Sequence, residues 1–193
     1  MAKTICVYCA SSSRVDSLYM ETATRLGSLI ASSGRTLITG GGCQGLMRAV
    51  EDGALEAGGN AIGVIPKFMI EAGWQHTGLT ELHITADMHQ RKKLMAEMSD
   101  AVIALPGGCG TMEELLEAIT WKQLGLYLNP IVILNTKGYY DALIAQLERA
   151  IDDHFMGKIH GNIWSVASTP EEALEIIENT PVWDASIRKY AAL

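Results

Sequence analysis

The chain has 193 residues, 48% of them hydrophobic and 19% charged, which suits a globular domain with its own core and excludes disorder and collagen-like repeats. Lysine and arginine number 15 against 22 acidic residues, a net charge of −7. That balance argues against non-specific binding to nucleic acid or to an anionic membrane, both of which need a basic surface. A small anionic ligand stays open, because a glycine loop can hold phosphate whatever the net charge.

In chain order, the first apolar run of strand length is Thr4–Cys9. A helical pattern follows over Ser17–Ser33, with Tyr19, Ala23, Leu26 and Ile30 on one stripe. Next come a strand at Thr36–Thr39, a helix over Gly45–Ala57 and a strand at Asn60–Ile65. Lys67–Gly78 lacks clear periodicity and is a candidate flap over a site. A strand at Leu82–Thr85 leads to a helix over Met88–Met98 with Asp87 as its N-cap. A strand at Ala101–Leu105, a helix over Thr111–Leu124, a strand at Ile131–Leu134 and a helix over Tyr139–Asp153 continue the alternation. The last strand is Ile163–Ala167, and Ser168-Thr169-Pro170 opens the last helix with a cap and a proline at its first position. The tail, Trp183–Leu193, is expected to pack as a short helix or to fray.

The strand runs are rich in Val, Ile and Leu and barely alternate, as parallel strands buried on both faces do. Alternation with helices then predicts one α/β domain over residues 1–193, a doubly wound parallel sheet with helices on both faces. No signal-peptide pattern and no run of roughly 18 apolar residues stands out, so a cytoplasmic protein is expected. Cys6 and Cys9 form a C-x-x-C, but in a strand they face opposite sides and are expected to be core residues. The five histidines show no metal-ligand spacing and no G-x-S-x-G elbow is present, so a metal enzyme and a serine hydrolase are disfavoured; no cofactor is expected.

In such sheets ligands bind beyond the carboxyl ends of the strands, which directs attention to three loops. Gly40-Gly41-Gly42-Cys43-Gln44-Gly45 reads as G-x-G-x-x-G, but no acidic residue ends the next strand to hold a ribose. A dinucleotide is therefore disfavoured; a tight turn and a ligand loop opening a helix both remain. Pro106-Gly107-Gly108-Cys109-Gly110-Thr111 places glycines and a hydroxyl before a helix, an anion cradle without the lysine of a Walker loop. Glu114 stands three residues after Thr111, which fits either a capping box or a carboxylate facing a bound substrate. Ser12, after the first strand, is either a nucleotide contact or a helix cap. Arg91-Lys92-Lys93 sit early in a helix, against its dipole, so something anionic should offset them; Lys93 is taken as solvated.

Pro106-Gly107-Gly108-Cys109-Gly110-Thr111-Met112-Glu113-Glu114 resembles the P-G-G-x-G-T-x-x-E motif of the Lonely Guy (LOG) family, the cytokinin-activating phosphoribohydrolases. Val7-Tyr8-Cys9-Ala10-Ser11-Ser12, Gly40-Gly41-Gly42-Cys43-Gln44-Gly45-Leu46-Met47, Met88-His89-Gln90-Arg91-Lys92 and Thr120-Trp121-Lys122-Gln123-Leu124-Gly125 are similar to further landmarks of the family, so the likeness runs nearly the whole chain. Gln90, Ala10 and Cys109 depart from the residues common there. The resemblance implies a Rossmann-like fold, a homodimer with sites near the subunit interface, and a nucleoside 5′-monophosphate substrate such as AMP or a cytokinin ribotide. Hydrolysis would give the free base and ribose 5-phosphate. It implies Arg91 and Glu114 as catalytic residues. Phosphate and substrate contacts are expected from Ser12, Gly42, Gly45, Met88, Lys92, Gly107, Gly108, Gly110 and Thr111. The older lysine decarboxylase label of the family is disfavoured, because no lysine has an evident pyridoxal phosphate context. The runner-up is a non-catalytic carrier of a phosphorylated cofactor such as molybdenum cofactor. Alkylation of Cys109, near a helix N-terminus, is expected to slow the enzyme.

Overall fold

The computed structural model describes residues 2–190. Its strands are β1 (Thr4–Tyr8), β2 (Thr36–Thr39), β3 (Ala61–Pro66), β4 (Glu81–Thr85), β5 (Ala101–Ala104), β6 (Ile131–Leu134) and β7 (Ser165–Ala167). Its helices are α1 (Ser17–Ser32), α2 (Gly45–Glu56), α3 (Lys67–Glu71), α4 (Met88–Glu97), α5 (Cys109–Gln123), α6 (Asp141–Asp152) and α7 (Pro170–Asn179). The strands form one sheet in the order β4-β3-β2-β1-β5-β6-β7, and every pairing is parallel. This is the doubly wound α/β architecture that the alternation predicts, and the Rossmann-like fold that the resemblance implies. Strand order reverses beside β1, so the chain leaves β1 and β5 in opposite directions and opens a crevice at their carboxyl ends.

One face of the sheet packs Leu26 and Ile30 of α1, Val50 and Ala54 of α2, and Leu174 and Ile177 of α7. The other packs Met95 of α4, Leu115 and Ile119 of α5, and Leu147 of α6. Cys6 belongs to the second layer and Cys9 to the first, the opposite-facing arrangement that strand geometry requires. Element ends follow local chemistry. Asp87 caps α4 by accepting from the Gln90 amide at 2.8 Å. Thr169 caps α7 by accepting from Glu172, with Pro170 at its first turn.

The tail holds the expected short helix, but other expectations shift: α6 starts at Asp141 and β7 at Ser165, each two residues later than predicted. α5 starts at Cys109, two residues before the predicted start, so Gly108 is the N-cap and Thr111 lies inside the first turn. The aperiodic segment holds α3, and Trp74 and His76 then tie it to the glycine loop: the Cys43 amide donates to Trp74 O, and the His76 amide to Gly41 O, each at 2.8 Å. In the tail, Ala185–Tyr190 is a short 3₁₀ turn, and residues 191–193 lie outside the described ones. No helix among the described residues is long and apolar enough to cross a membrane.

Candidate active site

The loops after β1, β2 and β5 meet around a cavity of about 640 Å³. Of the residues singled out from the sequence, Ser12, Gly42, Met88, Arg91, Gly108, Gly110, Thr111 and Glu114 line it. Gly45, Lys92 and Gly107 are not on its wall. Gly107 instead lines a smaller neighbouring cavity of about 220 Å³ with Tyr19 and Tyr139.

The glycines divide by what surrounds them. Gly45 opens α2 with φ +63°, and a Cβ there would stand 2.4 Å from the Ser11 carbonyl carbon. It lets α2 abut the loop after β1. A Cβ on Gly107 would stand 2.1 Å from the Thr111 hydroxyl oxygen. Gly108 and Gly110, by contrast, have open space in front of them, and both face the cavity.

Two helices begin at this cavity without a side-chain cap: α2 after Gln44 and α5 after Gly108. First-turn amides have no partner within their own helix, and the helix dipole adds positive potential there. The first-turn amides of α5, around Gly108, Gly110 and Thr111, are suited to an anion, whereas at α2 the Met47 amide is already donated to the Ala10 carbonyl at 3.1 Å. Ser12 is exposed at the rim, where its Oγ accepts from the Arg14 amide at 3.3 Å.

Arg91 and Glu114 form the charged floor. Both side chains are buried, and Arg91 Nη1 donates to Glu114 Oε1 at 2.6 Å. Arg91 Nε donates to the Val64 carbonyl at 3.0 Å, which fixes the plane of the guanidinium. Its Nη2 lies over Gly40, 1.8 Å from where a Cβ would stand. Burial moves the Glu114 carboxyl above its ordinary range, and the charge and hydrogen bond of Arg91 pull it back. The capping-box alternative for Glu114 is not adopted: Gly108 has no side chain to cap with, and the carboxylate turns to Arg91 instead.

The anions that offset Arg91 and Lys92 of α4 come from α5. Arg91 has Glu114; Lys92 is held by Glu113 and by Glu117, the latter at 3.1 Å. Burial lowers the affinity of Lys92 for its proton, but the two carboxylates outweigh that and raise it. Lys93, exposed, pairs loosely with Glu97 at 3.7 Å. Cys109 is exposed at the head of α5 and is not on the cavity wall, whereas Cys43 is.

Sequence reasoning missed Glu51; Gly40 lies in the glycine loop it named, and Met69 and Trp74 lie in the segment Lys67–Gly78 it read as a candidate flap, without being singled out. Met69 and Trp74 line the cavity from the segment after β3 and give one end of it an apolar, aromatic character. Among the described residues, no cluster of His, Cys, Asp or Glu suited to a metal ion occurs, and no described lysine lines the cavity.

Residues 47–177 match the family model described as "possible lysine decarboxylase". The chain is 42% identical over 174 residues to the probable cytokinin riboside 5′-monophosphate phosphoribohydrolase LOGL6 of Oryza sativa subsp. japonica, covering 90% of this chain and 70% of that one. It is 41% identical over 174 residues to cytokinin riboside 5′-monophosphate phosphoribohydrolase LOG3 of Arabidopsis thaliana, covering 90% and 81%. The chain belongs to the LOG family. In this chain the glycine loop after β5 that lines the cavity leads directly into the helix that carries Glu114 to Arg91. The fold extends to proteins of other names. The molybdenum cofactor binding protein of Rippkaea orientalis is 26% identical, with a TM-score of 0.70 over 92% of this chain and 96% of that one.

Proposed function

We propose that this LOG-family chain is a nucleoside 5′-monophosphate phosphoribohydrolase. It hydrolyses the N-glycosidic bond of AMP or of an N6-substituted adenine ribotide, giving the free base and ribose 5-phosphate. One observation carries the reading: a buried ion pair, Arg91–Glu114, opens onto the same cavity as the uncapped start of α5. Relatives named as phosphoribohydrolases support it.

The 5′-phosphate docks on the amides at the start of α5, around Gly108, Gly110 and Thr111, with Ser12 beside it. That anchoring uses remote binding energy to place the anomeric carbon above Glu114. As the bond to the base stretches, positive charge develops on the ribosyl ring. The Glu114 carboxylate stabilises that charge and orients a water. The water oxygen bonds to the anomeric carbon, one of its protons ends on the departing base, and the pair of electrons in the broken bond leaves with the base nitrogen. Arg91 holds Glu114 in its ionised form. The apolar end of the cavity, with Met69 and Trp74, receives the base.

The second reading, a carrier of a phosphorylated cofactor, is favoured by the shared fold of the Rippkaea orientalis protein. A carrier has no use for a carboxylate beside an anion, whereas glycosidic hydrolysis needs one. A lysine-based decarboxylase is disfavoured because no described lysine reaches the cavity. The homodimer implied by the resemblance belongs to this reading, and exposed Leu116 on α5 and Leu124 just after it are apolar side chains available for such a contact. Incubation with AMP and chromatography for free adenine tests it. Adenine and ribose 5-phosphate in equal amounts are expected; tight AMP binding without turnover would favour the carrier.

A further inference from the structure

Glu51 lies on the sheet-facing side of α2 and is fully buried. Such a position ordinarily takes an apolar residue, because a buried carboxyl costs free energy unless its polar atoms are used. Here they are used on the glycine loop. The Thr39 hydroxyl, at the end of β2, donates to Glu51 Oε1. Thr39 Oγ1 in turn accepts from the Gly41 amide at 3.0 Å, so its one proton is directed to Glu51. The Gly41 amide also reaches the carboxyl. Glu51 Oε2 has no hydrogen-bond partner among the described residues. Next to Gly41 stands Gly40, whose missing side chain gives Arg91 Nη2 its place.

We propose that Glu51 is a positioning residue for the hydrolytic site: through Thr39 and Gly41 it fixes the height of the Gly40–Gly41 backbone on which the Arg91 guanidinium rests, and so the placement of Glu114. The inference rests on the phosphoribohydrolase reading above. Burial pushes the Glu51 carboxyl up to about 8, against the Thr39 hydrogen bond. On its own helix Asp52 adds to that rise and Arg48 opposes it. From the loop after β1 it faces Cys9, whose thiol burial and then Glu51 push up. His76, from the segment after α3, reaches it only through Asp52, at 2.8 Å. Glu51 is thus uncharged at neutral pH. Above pH 8 it gains a charge with one oxygen unpaired in a dry site, and the loop must move to hydrate it. Arg91 moves with the loop.

The test measures kcat and KM for AMP from pH 6 to 10 for the parental chain, Glu51→Gln, Thr39→Val and Thr39→Ser. The parental kcat is expected to fall toward about tenfold per pH unit above pH 8 with KM steady. Glu51→Gln keeps the shape, lowers kcat at pH 7 about threefold and has no fall up to pH 10. Thr39→Val loses about tenfold in kcat at pH 7, and Thr39→Ser restores it. An alkaline fall unchanged in Glu51→Gln, or Thr39→Val equal to the parent, overturns the proposal. Should Glu51→Gln fail to fold, the Thr39 pair decides. A parental chain that releases no adenine overturns the functional reading and this one together; an active parent whose alkaline fall survives in Glu51→Gln overturns this one alone.

Discussion

The guanidinium of Arg91 occupies the space in which a side chain on residue 40 would begin: Nη2 lies 1.8 Å from the position of a Cβ on Gly40. Gly40→Ala therefore cannot coexist with the present Arg91 position, although alanine suits its backbone, which is not in the left-handed region. The methyl must push Arg91 away from Glu114. Displacement of about 1 Å is expected to cost roughly a hundredfold in kcat on AMP, with the circular dichroism spectrum unchanged. Parental turnover in Gly40→Ala would show that Arg91 has no fixed seat.

Glu114→Gln keeps the volume and removes the charge. Adenine release from AMP is expected to fall by roughly a hundredfold or more. The pH dependence of the parental chain carries the same information. Burial raises the Glu114 carboxyl above the ordinary glutamate range. Activity needs the ionised form, so the acid limb of kcat is expected at a pH above 4.5, rather than below it. A rate steady down to pH 4 would remove Glu114 from the reaction.

Stability and activity should separate at this pair. Arg91→Met alone leaves Glu114 buried beside the cavity without its partner, and is expected to lose about 3 kcal/mol in urea unfolding. The double variant Arg91→Met/Glu114→Leu removes both charges. It is expected to recover most of that loss while staying inactive. A double variant no more stable than the single one would mean that packing, not charge, holds α4 on α5.

Lys92 offers a contrast with its neighbour. Its amine is engaged by Glu113 and Glu117, on the α5 side of the fold and off the cavity wall. Lys92→Gln is expected to lower the melting temperature and to change KM for AMP less than about threefold. A rise in KM above tenfold would return Lys92 to the phosphate.

Glu51 makes a separate prediction for folding. Its carboxyl ionises near pH 4.5 when unfolded and near 8 when folded. Between those values the folded chain binds more protons, so this group makes stability fall as pH rises from 4.5 to 8 and adds no slope above. Glu51→Gln should flatten that part of the stability–pH curve. At pH 8 it should unfold with a free energy higher by about 1–3 kcal/mol. An unchanged slope in urea titrations from pH 5 to 8 would show that Glu51 is ionised in the folded chain.

By itself the sequence determined the sheet and where to look on it. Apolar runs such as Ala101-Val102-Ile103-Ala104 have no polar face, so they belong in a parallel sheet covered on both sides. Asp87 and Thr169 mark their helices through hydrogen bonds spanning three residues. Local physics decides such features, and local physics is written in adjacent residues. Tertiary structure alone set aside the capping-box reading of Glu114, because α5 starts at Cys109 and the carboxylate is paired with Arg91, 23 positions earlier. It likewise showed why Gly40 has no side chain, what Lys92 touches, and that Glu51 and Thr39 lie beneath the glycine loop. A buried charge takes whichever partner the chain's crossings bring within reach, and no pattern of neighbours along the chain encodes that choice.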